Sequence, residues 1–292
     1  MNRRYRHWIV LLLGAAALSA AAEVGLRVRY RCRVLSKLGA SEPGIVRIVA
    51  LGDSIVAGMP GPTPEAWPTV LAECLRANYP AVVWRVVNAG VPGDTAPSGY
   101  ARFDVDVASA GPQLVLIAFG LNDCNPARYG LDRWFEESVP RGLAEQSYLW
   151  RAVQVRIKRL GRPVEPQVNP AHLCQARTSP TAFAAALSAL VTRTRDVGAL
   201  PVLLTMTPLA SSGTSEAQAR IGTYEAYNAL TREHAAHRGV PLVELTSPMP
   251  AGGFERDGLH LTKAGQAWVA TQIYDQLDVG GVWDRLAREA GR

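Results

Sequence analysis

Five short, nearly continuous apolar runs most limit what this chain can fold into: Ile45–Leu51, Val82–Val87, Leu114–Phe119, Val202–Met206 and Leu242–Leu245. Each is of strand length, and a strand without polar alternation has no face to give to water. Helical patterns separate them, at Ala66–Ala77, near Tyr100–Ala108, at Thr181–Val197 and at Glu216–His237. A last one covers Lys263–Leu277. Strands buried on both faces and alternating with helices predict a parallel sheet between two helical layers. The expected fold class is α/β: a three-layer α/β/α sandwich around a doubly wound, mainly parallel sheet of about five strands. A chain of 292 residues with 48% apolar content can bury one such core with attachments.

Two segments fall outside this rhythm and set the domain organisation. Residues 124–180 are too long for a plain connection and carry Pro126, Pro140, Pro163, Pro166 and Pro170, so they form an insertion in a domain spanning 41–292. Within the insertion, Ser147–Arg162 reads as a helix with Leu149, Trp150, Val153, Ile157 and Leu160 on one face and Arg151, Lys158 and Arg159 off it. That face either packs on the sheet domain or lies on a lipid surface.

Residues 1–40 read as a signal or membrane anchor with a juxtamembrane segment. Arg3, Arg4 and Arg6 precede an uncharged run from Trp8 to Ala22. As a helix that run spans roughly 22 Å, short of the ~30 Å hydrocarbon core, and extension through Leu26 makes up the difference. A retained anchor, with the 41–292 domain on the periplasmic or extracytoplasmic side, is the favoured expectation. Cleavage at Ala20-Ala21-Ala22 would give a secreted protein instead. Arg27, Arg29, Arg31, Arg33 and Lys37 follow the run and argue the other way, since basic flanks stay in the cytoplasm. Residues 1–37 hold eight Lys/Arg against Glu23 alone, a surplus of seven in a chain whose net charge is +6. The remainder is therefore slightly acidic, which excludes a nucleic-acid partner. Of the four cysteines, Cys74 lies in an apolar helical pattern and is expected in the core. Cys124 and Cys174 could pair in an exported domain, and Cys32 adjoins the anchor.

The first apolar run stops at Gly52-Asp53-Ser54. Ligands of a doubly wound sheet bind beyond the carboxyl ends of its strands, where Ser54 falls. Glycine at 52 permits a tight turn without Cβ conflict. Asp53 or Ser54 could merely cap the next helix. Three other segments reach the same sheet edge: "VVNAGVPGDT" (Val86 to Thr95), "IAFGLND" (Ile117 to Asp123) and "RDGLHLTKAG" (Arg256 to Gly265). Together with "LGDS" they resemble, in order, the four blocks of the SGNH/GDSL hydrolase superfamily. The resemblance covers residues 45–277 apart from the insertion.

The resemblance implies a serine esterase acting on acyl or acetyl esters. Ser54 matches its nucleophile, Asp257 and His260 its Asp-x-x-His pair, and Gly93 and Asn122 its oxyanion-hole glycine and asparagine. Ile55 stands where the family's leucine would be and keeps an apolar anchor. The chemistry is coherent. A serine hydroxyl needs a base, histidine serves near neutral pH, and a carboxylate on Nδ1–H fixes its tautomer. Backbone N–H groups and an amide can hold the developing oxyanion without a metal or other cofactor. The expected partners are a small-molecule, glycan or lipid ester and the membrane. An O-acyltransferase acting on glycans with the same triad, and a non-catalytic glycan- or lipid-binding protein, remain alternatives. Asp53, Asn88 and Asp123 are expected to cap and tie loops. His234 and His237, three apart on a polar helix, lack a third metal ligand.

Overall fold

The run IVRIVALG forms strand β1, Ile45–Gly52, and all its residues after Ile45 are buried. Val46, Ile48 and Ala50 join the core cluster on one face, while Val49 and Leu51, on the other, are equally inaccessible. The strand is therefore central. The computed structural model describes residues 44–58, 65–125, 176–209 and 215–291 (backbone only for 215–222), with 17–26 and a few single positions. Beside β1 lie β2 (Val83–Gly90), β3 (Leu114–Ala118), β4 (Leu200–Leu204) and the two-residue β5 (Leu242–Val243). All pairs are parallel, in the order β2-β1-β3-β4-β5. The order reverses between β1 and β3, and a parallel sheet opens a crevice at such a point.

The helices are α1 (Ser54–Ala57), α2 (Trp67–Asn78), α3 (Ala96–Ala101), α4 (Phe103–Asp106) and α5 (Leu121–Cys124), followed by α6 (Pro180–Asp196), α7 (Ser215–Arg238), α8 (Lys263–Val279) and α9 (Val282–Ala290). Trp67, Leu71 and Leu75 of α2 meet Val269, Ala270, Ile273 and Leu277 of α8 in the core cluster, at spacings of three and four that keep them on one helical face. Ala66 cannot cap α2 with a side chain, and the Trp67 N–H is satisfied across the layer by Gln266 Oε1 of α8 at 2.9 Å. Ser179 and Thr262 cap α6 and α8. The expected α/β/α architecture is the one observed.

Several boundaries differ. β4 starts at Leu200 and ends at Leu204, two residues ahead of the apolar run at both ends. The helical piece expected near Tyr100 begins at Ala96, where Thr95 accepts the Ser98 N–H. The helix ending near Leu277 is not the last: Gly281, at φ 65°, turns the chain into α9, whose Trp283 is fully buried. Gly52 is required by contact and not by backbone angle, for it does not have a positive φ. A Cβ there would lie 2.4 Å from Ala118 O and from Val56 Cγ2. Cys74 is half-buried rather than core. Cys124 is a buried thiol, its pKa pushed up to about 12 by burial, and its suggested partner Cys174 lies outside the described residues.

Residues 1–33 with 128–167 form one compact unit, and 34–127 with 168–292 another. In the first, residues 17–26 are helical, and Glu23 Oε2 accepts the Leu149 N–H at 2.7 Å. No helix among the described residues is long and apolar enough to cross a membrane. The Ser147–Arg162 helix lies outside the described residues except at Leu149. Where the insertion leaves and rejoins the second unit, Thr178 N–H donates to Asp123 O at 3.1 Å.

Candidate active site

Ser54 follows β1 directly and starts α1, so its position is fixed by a central strand. Asp53 caps that short helix, its Oδ1 accepting the Ile55 N–H at 2.9 Å. Opposite, the DGLH turn is built from its own carboxylate. Asp257 Oδ1 accepts the N–H groups of Leu259 and His260, each at 2.9 Å, and Gly258 takes the positive φ, 66°, that the turn demands. This leaves Asp257 Oδ2 free to meet His260 Nδ1 at 2.6 Å, and His260 Nε2 stands 3.1 Å from Ser54 Oγ. The Phe254–Leu261 bridge and Glu255 N–H to His260 O, 2.8 Å, close the loop on itself. Burial raises the Asp257 pKa, but hydrogen bonds from the His260 ring and the two backbone N–H groups outweigh it and hold the carboxyl below its ordinary value. An ionised Asp257 accepts from Nδ1–H, which leaves the Nε2 lone pair facing the Ser54 hydroxyl. Ser54 donates, His260 accepts.

Gly93 and Asn122 come from the loops after β2 and β3. Gly93, at φ 82°, sits in a turn closed by Asp94 N–H to Val91 O at 3.1 Å. Asn122 Nδ2 donates to Asp94 O at 3.0 Å and to Asp53 Oδ2 at 3.3 Å. The asparagine is thus tied both to the residue following Gly93 and to the residue preceding Ser54. All five residues singled out by sequence gather at the carboxyl edge of the sheet. The loop-tying roles expected of Asn88 and Asp123 are also seen. Asn88 Nδ2 donates to Val56 O at 2.7 Å, and both Asp123 carboxylate oxygens accept the Ala96 N–H at 3.1 Å.

Sequence reasoning missed the charge buried behind the site. Arg102 is 1% exposed and pairs with Asp94 and Asp106, which are buried too. An Arg four residues before an Asp in a short helical stretch looks like any surface pair, and nothing in the sequence marks it as interior. It also took Asp53 for a cap alone. Burial pushes the Asp53 pKa up from 3.8 to about 7. The Ile55 N–H and Arg102 oppose the rise, and the neighbouring Asp123 and Asp94 add to it. In the unfolded chain Asp53 ionises near pH 4. Between there and about pH 7 the folded protein therefore holds a proton that the unfolded chain has lost, and stability falls as pH rises through this window. Asp53→Asn removes the titration. Urea unfolding from pH 4.5 to 8 is expected to show the variant gaining on the wild type as pH rises, and parallel curves would contradict the assignment.

A family model described as the GDSL-like Lipase/Acylhydrolase family matches residues 50–268. Esterase TesA of Pseudomonas aeruginosa is 30% identical over 126 residues, which are 43% of this chain and 59% of that protein. An arylesterase of Vibrio mimicus is 35% identical over 86 residues, 30% of this chain and 42% of the relative. The chain therefore matches well under two thirds of the length of either. Among solved structures, the crystal structure of TesA covers 79% of this chain and 97% of its own, with TM-score 0.54 at 21% identity. An acetylxylan esterase from Geobacillus stearothermophilus covers 82% and 95%, with TM-score 0.53 at 20% identity. At such identities these structures speak for the fold. The family match is independent of them and runs from the strand before Ser54 past the turn that carries His260, so the chain belongs to the GDSL-like lipase/acylhydrolase family.

Proposed function

We propose that this chain is a serine esterase working through an acyl-enzyme. The reading rests on one observation, the unbroken line Asp257 Oδ2–His260 Nδ1, His260 Nε2–Ser54 Oγ at 2.6 and 3.1 Å. Ser54 Oγ attacks the ester carbonyl carbon while its proton passes to His260 Nε2, and Asp257 stabilises the imidazolium. The carbonyl oxygen becomes an anion held by the N–H groups of Ser54 and Gly93 and by the Asn122 amide. To reach it, Asn122 gives up its longer bond, the 3.3 Å one to Asp53, and keeps the one to Asp94 O. The tetrahedral centre collapses, the ester C–O bond breaks, and His260 gives its proton to the departing alcohol. Water then attacks the acyl-Ser54 carbonyl, losing a proton to His260, and the acid leaves. A sugar hydroxyl in place of that water would give acyl transfer by the same steps.

A short acyl group is the substrate reading we adopt. Beside Asp53 and Ile55, which flank Ser54, lies a largely apolar cavity of about 30 Å³ bounded by Trp67, Leu121, Met206 and Val269. That is room for one or two water-sized groups, in a cavity lined by none of the five candidate site residues. The acetylxylan esterase among the solved structures is named for an ester of this kind. Residues 1–40 act as the membrane signal, with the 41–292 domain carried to the extracytoplasmic side. Leu18 at 75% exposed and Val24 at 59%, on the helix of residues 17–26, are the apolar surface a bilayer would cover.

A fluorophosphonate probe should label the wild type at Ser54, and aryl esters of rising chain length should be hydrolysed fastest as acetate. Labelling elsewhere would overturn the nucleophile, and a preference for long chains the acyl group. Alkaline phosphatase fused after Leu277 should be active in intact cells. A silent fusion would reverse the topology.

A further inference from the structure

Arg102 is the most deeply buried cation among the described residues, and desolvating a guanidinium costs several kcal/mol unless its donors are met. Its acceptors belong to three parts of the site. Nη2 donates to Gly52 O at 2.8 Å, two residues before Ser54. Nε donates to Asp94 Oδ2 at 2.6 Å, one residue after Gly93. Nη1 donates to Asp106 Oδ2, on the next helical turn of its own segment. The backbone allows this because the helix breaks at Arg102: α3 ends at Ala101, α4 starts at Phe103, and Arg102 between them sits at φ −105°, ψ 5°. Asp94 extends the connection, since its carbonyl accepts Asn122 Nδ2 at 3.0 Å.

We infer that Arg102 is a positioning residue for catalysis: one planar guanidinium, oriented by Asp106, sets the spacing between the nucleophile loop at Gly52, the Gly93–Asp94 turn and, through the Asp94 carbonyl, the Asn122 amide. A rigid fork can hold two such acceptors at a fixed separation, whereas the ammonium of a lysine is a single point charge. Oxyanion donors act only where they meet the developing charge, and misplacement by about 1 Å from a distant change can cost about 10²-fold. This inference rests on the assignment of Gly93 and Asn122 as oxyanion donors.

A double-mutant cycle on the full-length protein tests it, with 4-nitrophenyl acetate as substrate. Arg102→Lys should lower kcat by about 10–100-fold and leave KM within about two-fold. In the Asn122→Ala background the same change should cost at least about three-fold less, because one of the donors it positions is already gone. If folded Arg102→Lys keeps wild-type kcat, or loses the same factor in both backgrounds, the positioning role is wrong and the residue serves stability alone. Should circular dichroism show Arg102→Lys unfolded, Asp106→Asn carries the same cycle. It keeps the guanidinium and frees one end, so kcat should fall at least about three-fold with the same non-additivity. An unchanged or additive result there overturns the inference equally. Ser54→Ala, measured alongside, separates the outcomes. If that variant remains active the Ser54 acyl-enzyme reading itself fails, and if it is inactive while the cycle is additive only the role of Arg102 fails.

Discussion

Ser54→Ala is expected to lower turnover of an aryl acetate by about 10⁴-fold or more while leaving the protein folded. The size follows from what is lost. Without Oγ there is no atom to form the acyl-enzyme, and His260 has no proton to take. The residual rate would come from binding and the oxyanion donors acting on water. Stability should change little although Ser54 is only 6% exposed. The hydroxyl meets the His260 ring, itself partly open to solvent, and its removal orphans no buried backbone group. The check is steady-state hydrolysis together with a urea unfolding curve. A folded variant with near wild-type activity would falsify the nucleophile.

Asn122→Ala should reduce kcat by about 10²–10³-fold with little change in KM, as expected for a donor used mainly in the transition state. The structure adds a second expectation. The amide is held by Asp94 O and Asp53 Oδ2. Asn122→Asp keeps the size but replaces N–H donors with an acceptor facing the Asp94 carbonyl and the Asp53 carboxyl. It should therefore be at least as inactive as the alanine variant and less stable at neutral pH. A raised KM with unaltered kcat would make Asn122 a residue of ground-state binding.

The sheet was legible because its evidence is local. The runs at Ile45 and Leu114 have no polar interruption long enough to be anything but interior strands, and the helices between the strands carry their own periodicity, whereas the equally apolar run at Val82 forms the edge strand β2 with Val83 exposed. The five site residues were legible for another reason: each sits in a short block whose neighbours fix its loop. Gly258 allows the turn that lets Asp257 hold His260, and Asp53 caps the helix that begins with Ser54. What escaped notice depends on distance in sequence. Gln266 satisfies Trp67 from 199 positions away, and Arg102 reaches Gly52 across 50. Neither partner leaves a local mark. The same holds for Gly52, where a turn seemed to need glycine but the crowding comes from Ala118 on another strand. The extra helix α9 lies beyond the Gly280-Gly281 pair, where Gly281 turns the chain from one helix into the next.

The hydrogen bond from Thr178 to the Asp123 carbonyl has a bearing on how this protein can change. It brings the two ends of the long excursion together at residues that are both buried in the second unit. For a flexible loop with ends that already touch, each doubling of length costs only about 0.6 kcal/mol in closure entropy, so the larger cost of replacing this excursion is the packing of residues 128–167 with 1–33. The doorway opens immediately beside Asn122. The Asp257–His260–Ser54 line and the Arg102 bonds to Gly52, Asp94 and Asp106 are all made within the second unit, so sequence between these two ends can vary while they stay as they are.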